Sequence, residues 1–393
     1  MNSKKIGIIT WFTGPNYGTN LQAIALQYYL RKQGYEVNII NYEVPYLRQT
    51  KTIKNLIRKV IYQPKELVKK YALKLVYQPK NWIVKYALNK YRNEIEERDN
   101  KLAVAIQKNC VLTSKVRNLN ELINICNSYD LLICGSDQIW NPNWYNRFYF
   151  ADYDEITTRR IAYAPSMGVN AISDTVIPDI KRSISKFDYV SVRENKAADL
   201  LEACTDRRPT VVVDPTFLLS KEEWECIFEL EKTEDQDYIL AFFLNDEYNH
   251  LKATRKFAKR NSCRLILIPY KGMTYLQSAD ICADAGLEDM LRLIKNAKYV
   301  VTDSFHITVF SIIFNKQFFT FQRFKDDAFT SQNVRVINLL ELTGLEGRLI
   351  PFRSKNIVDI DNIIYSECMI KLDNEIKKSK KYLKTAVEQS NEN

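Results

Sequence analysis

The sequence predicts an α/β protein made of two Rossmann-like domains that face a cleft. Its 393 residues exceed the roughly 250 to 300 that a single core organises, so two domains are expected. Short apolar runs alternate with stretches of helical periodicity in two successive series, the pattern of parallel sheets covered on both faces. Most of those runs are followed by Gly, Pro or polar residues, which turn a chain as it leaves a strand.

In the first series Ile6 to Trp11 reads as a strand, Asn20 to Lys32 as a helix carrying Leu21, Ile24, Ala25 and Tyr28, and Gly34 as its stop. Val37 to Asn41 completes a βαβ opening. One long helix is expected from Ile83 to Gln107 and a shorter one from Leu119 to Asn127, followed by strands Tyr129 to Cys134, Arg160 to Ala164, Tyr189 to Val192 and Thr210 to Val213. The second series reads strand Tyr238 to Phe243, helix Asn249 to Asn261, strand Arg264 to Pro269 and helix Glu288 to Asn296, then strand Tyr299 to Thr302, helix Phe305 to Phe314 and strand Gln317 to Phe321. Asp214-Pro215 breaks the pattern and an acidic connector follows. The expected units are therefore an N-terminal domain over 1–215, a second domain over 235–355, and a C-terminal helix and tail over 356–393. Ile357 to Leu383 looks helical, and Glu388 to Asn393 is expected to be disordered.

The net charge of +10 is local: Arg48 to Arg92 holds 13 Lys and Arg against Glu66 alone, and the rest of the chain has 44 basic and 46 acidic residues. This segment repeats at an offset of 15, Tyr62-Gln63-Pro64-Lys65 recurring as Tyr77-Gln78-Pro79-Lys80 and Lys70-Tyr71-Ala72-Leu73 as Lys85-Tyr86-Ala87-Leu88. Each copy reads as a short amphipathic helix starting at a proline, so 48–92 is expected to be a basic helical insertion. Three readings stay open for it: attachment to an anionic membrane surface, an apolar stripe packed on the main domain with solvated lysines, and nucleic-acid binding, the least expected because no nucleic-acid module accompanies the charge.

No apolar run approaches the roughly 18 residues of a spanning helix, and Ile6 to Phe12 ends at Thr13-Gly14-Pro15-Asn16 without a cleavage pattern, so a cytoplasmic protein is expected. Eight scattered cysteines without a C-x-x-C pair read as reduced, mostly packed thiols. The two histidines, His250 and His306, and the lack of a cysteine cluster argue against zinc, while a carboxylate-held magnesium stays open; no metal site is predicted.

His306 stands where the apolar strand ending at Thr302 meets an apolar helix. Ligands of open α/β folds gather at the carboxyl ends of strands, and an imidazole beside a bound anion can act as a general acid; a satisfied core histidine is the plain alternative. Gly135-Ser136-Asp137-Gln138-Ile139-Trp140-Asn141 likewise follows a strand, where Asp137 and Gln138 would bond sugar hydroxyls and Trp140 would stack on a ring, unless the turn is structural and Trp140 is core. Arg193, in Ser191-Val192-Arg193-Glu194, ends another strand and could clamp a carboxylate or phosphate. The glycine loop Thr13 to Asn20 is neither a dinucleotide fingerprint nor a Walker loop, so nicotinamide binding and ATPase activity are poorly supported.

Together, Asn16-Tyr17-Gly18-Thr19-Asn20-Leu21-Gln22-Ala23, Gly135 to Asn141, Tyr163 to Gly168, Ser191 to Glu194, Asp214-Pro215-Thr216 and Thr302 to Phe310 resemble the polysaccharide pyruvyl transferase family over roughly residues 5 to 350. The resemblance implies a GT-B-like pair of Rossmann domains and transfer of a pyruvyl group from phosphoenolpyruvate, a co-substrate, to hydroxyls of a cell-surface polysaccharide or its lipid-linked precursor, giving a ketal and phosphate. No cofactor is expected. By position, His306 matches the family's catalytic histidine and Arg193 an arginine associated with the donor. Ser304 stands where many relatives carry an arginine, so it is a donor-side position and phosphate must lean on Arg193, helix N–H groups or another cation. Asp137 is the candidate for orienting or deprotonating the acceptor, with Asn16, Gln138 and Trp140 as acceptor contacts, and Asp303 could orient the imidazole. The basic insertion is not part of the family pattern. If it holds the enzyme on the inner face of the membrane, a lipid-linked acceptor follows. The alternatives are a GT-B nucleotide-sugar glycosyltransferase and, from another class, a non-catalytic glycan-binding or membrane-scaffold protein.

Overall fold

The computed structural model describes residues 3–42, 78–231, 237–325 and 331–389. The basic segment from Arg48 to Tyr77, which holds the first copy of the repeat, and the tail beyond Gln389 lie outside the described residues, as does part of the connector before Glu234.

Strand β1 (Lys5–Ile9) leads into α1 (Tyr17–Lys32) and β2 (Glu36–Ile39). Helix α1 starts three residues before the expected Asn20, because Asn16 caps it: its Oδ1 accepts the Gly18 N–H at 3.1 Å. The single helix expected over Ile83 to Gln107 is two, α2 (Gln78–Lys90) and α3 (Arg92–Asn109), broken at Tyr91. Packing accounts for the break, since Tyr91 turns toward Tyr275 of the second half at a ring separation of 5.5 Å. Helix α4 (Leu119–Cys126), β3 (Leu131–Cys134), β4 (Arg160–Ala162), α5 (Ile177–Ile184), β5 (Ser191–Val192), α6 (Asn195–Thr205) and β6 (Thr210–Val211) follow. The parallel sheet runs β2-β1-β3-β4, and β5 pairs with β6. A bridge between Ile161 and Tyr189 joins the two.

After the connector helix α7 (Lys221–Ile227) come β7 (Tyr238–Phe242), α8 (Tyr248–Arg260), β8 (Arg264–Ile268), β9 (Asp280–Ile281), α9 (Leu287–Asn296), β10 (Tyr299–Thr302), α10 (Phe305–Ile313), β11 (Gln317–Phe321), α11 (Val334–Thr343), β12 (Leu349–Ile350) and α12 (Tyr365–Glu388). Their sheet, β9-β8-β7-β10-β11-β12, is wholly parallel and has the doubly wound order 3-2-1-4-5-6. Near-continuous apolar strands such as Tyr238-Ile239-Leu240-Ala241-Phe242 are buried along their whole length, as helices on both faces require.

Each sheet has one point where connections leave in opposite directions, between β1 and β3 in the first and between β7 and β10 in the second. The loops after these strands part there and leave a crevice. The two halves are tied by α12, which returns to the first: the Ser379 Oγ accepts the Val213 N–H at 2.9 Å and the Tyr382 hydroxyl donates to the Ala162 carbonyl at 3.1 Å. On α2, Ala87 packs with Tyr275 and Ala283 of the second half, and Val84 lies against Gly272, where a Cβ would come within 2.4 Å of it. The rest of the expected apolar stripe is turned outward, Trp82 being 78% exposed and Tyr86 64%. No helix among the described residues is long and apolar enough to cross a membrane.

Candidate functional site

The second half's crevice is pinned by Asp303, directly after β10. Its carboxylate accepts the N–H groups of Leu244, at 2.6 Å, and Asn245, at 3.0 Å, in the loop after β7. The expectation that Asp303 orients His306 is therefore corrected: sequence neighbours at a strand-to-helix turn point apart, and Asp303 braces the switch point instead. Burial pushes its pKa up to about 6, against the pull of Arg323 and the two N–H groups. The ionised form is thus disfavoured by folding. The folded protein binds more protons than the unfolded chain between the ordinary carboxylate pKa and about 6, so this group's contribution to stability falls as pH rises through that window and is flat above it. Asp303→Asn should abolish that slope, worth about 3 kcal/mol, and urea unfolding of both proteins from pH 4 to 7 would show it.

His306, in the first turn of α10, is 4% exposed. One edge of its ring abuts Gly18, where an added Cβ would lie 2.0 Å from Nδ1, so only glycine lets α1 and α10 approach this closely. The other edge carries Nε2, 3.5 Å from Asp214 Oδ2. Asp214 is prepared for this by a tight turn: its Oδ1 accepts both the N–H and the hydroxyl of Thr216, at 3.0 and 2.7 Å, leaving Oδ2 for Arg193 and His306. Burial alone would raise the carboxyl's pKa, but the His306 imidazole, Arg193 and Thr216 outweigh it and hold Asp214 well below the usual carboxylate range. The other histidine is a core residue whose two ring nitrogens have no hydrogen-bond partner among the described residues. His250 stacks on Phe321 at 4.3 Å in the core, and burial pushes its pKa down to about 4.

Arg193 lies at the centre of the polar cluster. It pairs with Asp214, lies 3.4 Å from Glu194 and 3.9 Å from Asp137, and covers the Phe305 ring at 4.3 Å. Burial works against its charge, yet Asp214, Glu194 and Asp137 overcome that and raise its pKa. Asp137 also accepts the Thr19 hydroxyl at 2.7 Å, so the first turn of α1 and the loop after β3 meet on this carboxylate.

Two cations on the far wall were not anticipated. Arg323 and Arg335 share the Gln332 Oε1, at 2.6 and 2.7 Å, in a cleft lined also by Asp303, Phe305 and Asn333. Burial, then repulsion from Arg323 and Arg193, pushes Arg335 down to about 9, and burial lowers Arg323 against the pull of Asp303. Among the described residues, Arg193 Nη2, Arg323 Nε, Arg335 Nε and His306 Nε2 are buried without a hydrogen-bond partner. Buried cations that repel one another and hold unused donors form a site suited to a polyanion.

The remaining expected residues divide. Ser304 takes the N-cap position of α10, its N–H donating to Thr302 Oγ1 at 3.0 Å while its hydroxyl makes no capping bond. Gln138 is buried against Gly168, its Nε2 without a partner among the described residues. Asn16 is engaged in its cap. Trp140 is a correction: it is 1% exposed, stacks on Phe150 at 4.9 Å and donates to the Tyr149 carbonyl, so it packs the core and offers no ring to a sugar.

The arrangement of a first-turn histidine, an aspartate facing it and an arginine at the end of a neighbouring strand coincides with a match in sequence. The model of the polysaccharide pyruvyl transferase family matches residues 16–325. The chain belongs to this family. No curated protein shows significant sequence similarity to this pyruvyl transferase family member. Among solved structures, it is similar to the UDP-GlcNAc 2-epimerase of Methanocaldococcus jannaschii (12% identity over 94% of this chain and 92% of that one, TM-score 0.49). It is also similar to the UDP-GlcNAc 2-epimerase of Neisseria meningitidis (8%, 98% and 94%, TM-score 0.46) and to the glycosyltransferase SnogD of Streptomyces nogalater (10%, 98% and 100%, TM-score 0.45).

Proposed function

We propose that the protein transfers the pyruvyl group of phosphoenolpyruvate to two hydroxyls of a polysaccharide or its lipid-linked precursor, forming a ketal and releasing phosphate. The observation that carries this reading is the placing of His306 Nε2 beside Asp214, whose other partner, Arg193, is close enough to Arg335 to repel it, as Arg323 does. Phosphoenolpyruvate presents a phosphate and a carboxylate on one small frame, and three guanidinium groups with unused N–H donors match both. His306 gives its proton to the donor's methylene carbon as an acceptor hydroxyl adds to the neighbouring carbon, and Asp137 takes the hydroxyl's proton. Phosphate then leaves with the C–O bonding pair and takes up the proton held by Asp137. A second hydroxyl adds at the same carbon, and its proton restores the imidazolium. Asp214 supplies the fixed negative charge that the imidazolium faces. Ser304 lines the donor side at the start of α10.

The test is phosphate release from phosphoenolpyruvate by the purified protein with a panel of oligosaccharide acceptors. Acceptor-dependent release supports the reading. Thermal stabilisation by a nucleotide sugar and not by phosphoenolpyruvate, with no release, replaces it with nucleotide-sugar glycosyl transfer.

The same proposal places the enzyme on the inner face of an anionic membrane. Trp82, Ile83 and Tyr86 project from α2 with exposed Lys85 and Lys90, in a segment whose sequence holds 13 Lys and Arg and one acid. Sedimentation with phosphatidylglycerol-rich vesicles should be lost at high salt and in Trp82→Glu/Tyr86→Glu, while neutral vesicles should bind weakly. Equal binding by wild type and variant would sink this placement.

A further inference from the structure

The first half's own crevice, between the loops after β1 and β3, carries aromatic side chains that the donor chemistry leaves unused. Trp11 lies two residues past the end of β1, and Trp144 lies across from it with ring centroids 6.5 Å apart and planes inclined by 32°. Tyr149 closes the group edge-on to Trp11 at 5.9 Å. Trp144 is 44% exposed, unlike the core residue Trp140 four positions earlier. The Trp144 ring is anchored from behind, its indole N–H donating to the Gln138 carbonyl at 3.3 Å, and the backbone of Trp11 is fixed by Gln22 Nε2, which donates to its carbonyl at 2.7 Å. An exposed ring held in this way is a rigid surface whose ordering cost is already met by the fold.

The loop beneath Trp144 also holds unused donors. The side-chain amide nitrogens of Gln138 and Asn141 are buried and have no hydrogen-bond partner among the described residues, and buried amides of this kind are ordinarily satisfied. The loop that carries Trp11 leads directly into α1, whose second residue, Gly18, lies against His306.

We infer that Trp11 and Trp144 form the acceptor subsite, a platform on which the apolar face of a sugar ring stacks while the amides of Gln138 and Asn141 bond its hydroxyls. The division of labour follows from the topology. The second half's switch point, with its cations, takes the charged donor, and the first half's, with aromatic rings and neutral amides, takes the uncharged glycan. An aromatic face attracts the C–H bonds of a pyranose and has nothing to offer a dianion, so the two substrates sort themselves. This inference rests on the pyruvyl transfer reading for the identity of the acceptor, and its test is chosen to separate the two.

Binding of neutral hexose and N-acetylhexosamine oligosaccharides is followed by tryptophan fluorescence and by calorimetry without donor, in wild type, Trp144→Ala, Trp144→Phe and Trp11→Ala/Trp144→Ala. A member of the panel should bind wild type, bind Trp144→Ala at least tenfold more weakly, recover in Trp144→Phe, and fail to bind the double variant. Steady-state kinetics should show the same rise in the acceptor KM with the phosphoenolpyruvate KM unchanged, an effect that general loosening of the fold would not produce. Oligosaccharide binding that depends on Trp144 in a protein that releases no phosphate would keep the platform and remove the donor reading. Binding retained in the double variant, or no binding of any panel member by wild type, overturns the platform.

Discussion

Replacing His306 with alanine should lower acceptor-dependent phosphate release by roughly 10²- to 10⁴-fold, the range that a positioned general acid contributes. The loss should sit in kcat, since the guanidinium groups proposed to hold the donor are untouched. The fold should survive. His306 ends against Gly18 and Asp214, and Asp214 keeps Arg193 and Thr216 when the imidazole is gone. His306→Gln, which fills the same space without an acid, should be as inactive as the alanine variant. Measuring phosphate release and the thermal midpoint on the same samples separates chemistry from stability. A variant with wild-type stability and more than a tenth of wild-type kcat would remove His306 from the acid role, leaving water or the donor's own phosphate as the proton source.

The prominence of His306 in the sequence has a simple origin. Histidine occurs only twice in the chain, and one of the two stands at a strand-to-helix junction, where the apolar run Tyr299 to Thr302 and the helical run from Phe305 both declare their type. Strand β10 and strand β11 have the bounds that their apolar runs predict, since a fully buried parallel strand must be apolar on both faces. What the pattern could not supply was direction. Trp140 and Trp144 occur in the same loop after β3, and which of them turns inward depends on the left-handed conformation at Asp137 (φ 63°) and on Phe150 and Phe187, which close over Trp140. Partners distant in sequence were equally hidden. Asp214 belonged to a recognised motif, yet its role emerges only when β6 brings it to α10, from 92 residues away in the chain. Arg323 lies just past the predicted end of β11, but Arg335 stands inside α11 with no strand-end signature, and only Gln332 between them reveals that they act together. The break at Tyr91 had no glycine or proline to announce it and is set by tertiary contact with Tyr275.

The largest effect on stability is expected at Arg193. Arg193→Met keeps the length and apolar stem of the side chain and its contact with Phe305, but removes the charge from among three carboxylates, Asp214, Glu194 and Asp137. Asp214 and Glu194 are almost wholly buried. A buried carboxylate left without its cation loses the interaction while keeping the desolvation cost, which typically lowers stability by about 3 to 5 kcal/mol. His306 could answer part of the charge on Asp214 but lies 3.5 Å away from it. Two consequences distinguish this account from simple loss of packing. First, adding Asp214→Asn to Arg193→Met should recover part of the loss, so that the double variant is more stable than the sum of the single changes predicts. Second, the gap between wild type and Arg193→Met should narrow as the pH falls. In wild type the cation holds Asp214 below the usual carboxylate range, so its contribution is present above the unfolded pKa and lost below it, whereas in the variant an unpaired buried carboxyl gains by taking up a proton. Urea titrations of the four proteins at pH 7 and pH 5 test both. Strict additivity, with a gap independent of pH, would mean that Arg193 supports the fold through its contact with Phe305 alone. The charged cluster would then be a binding feature with no structural share. The outcome expected from the geometry joins the two roles, because the guanidinium that holds the carboxylates also presents the free Nη2 donor to the site.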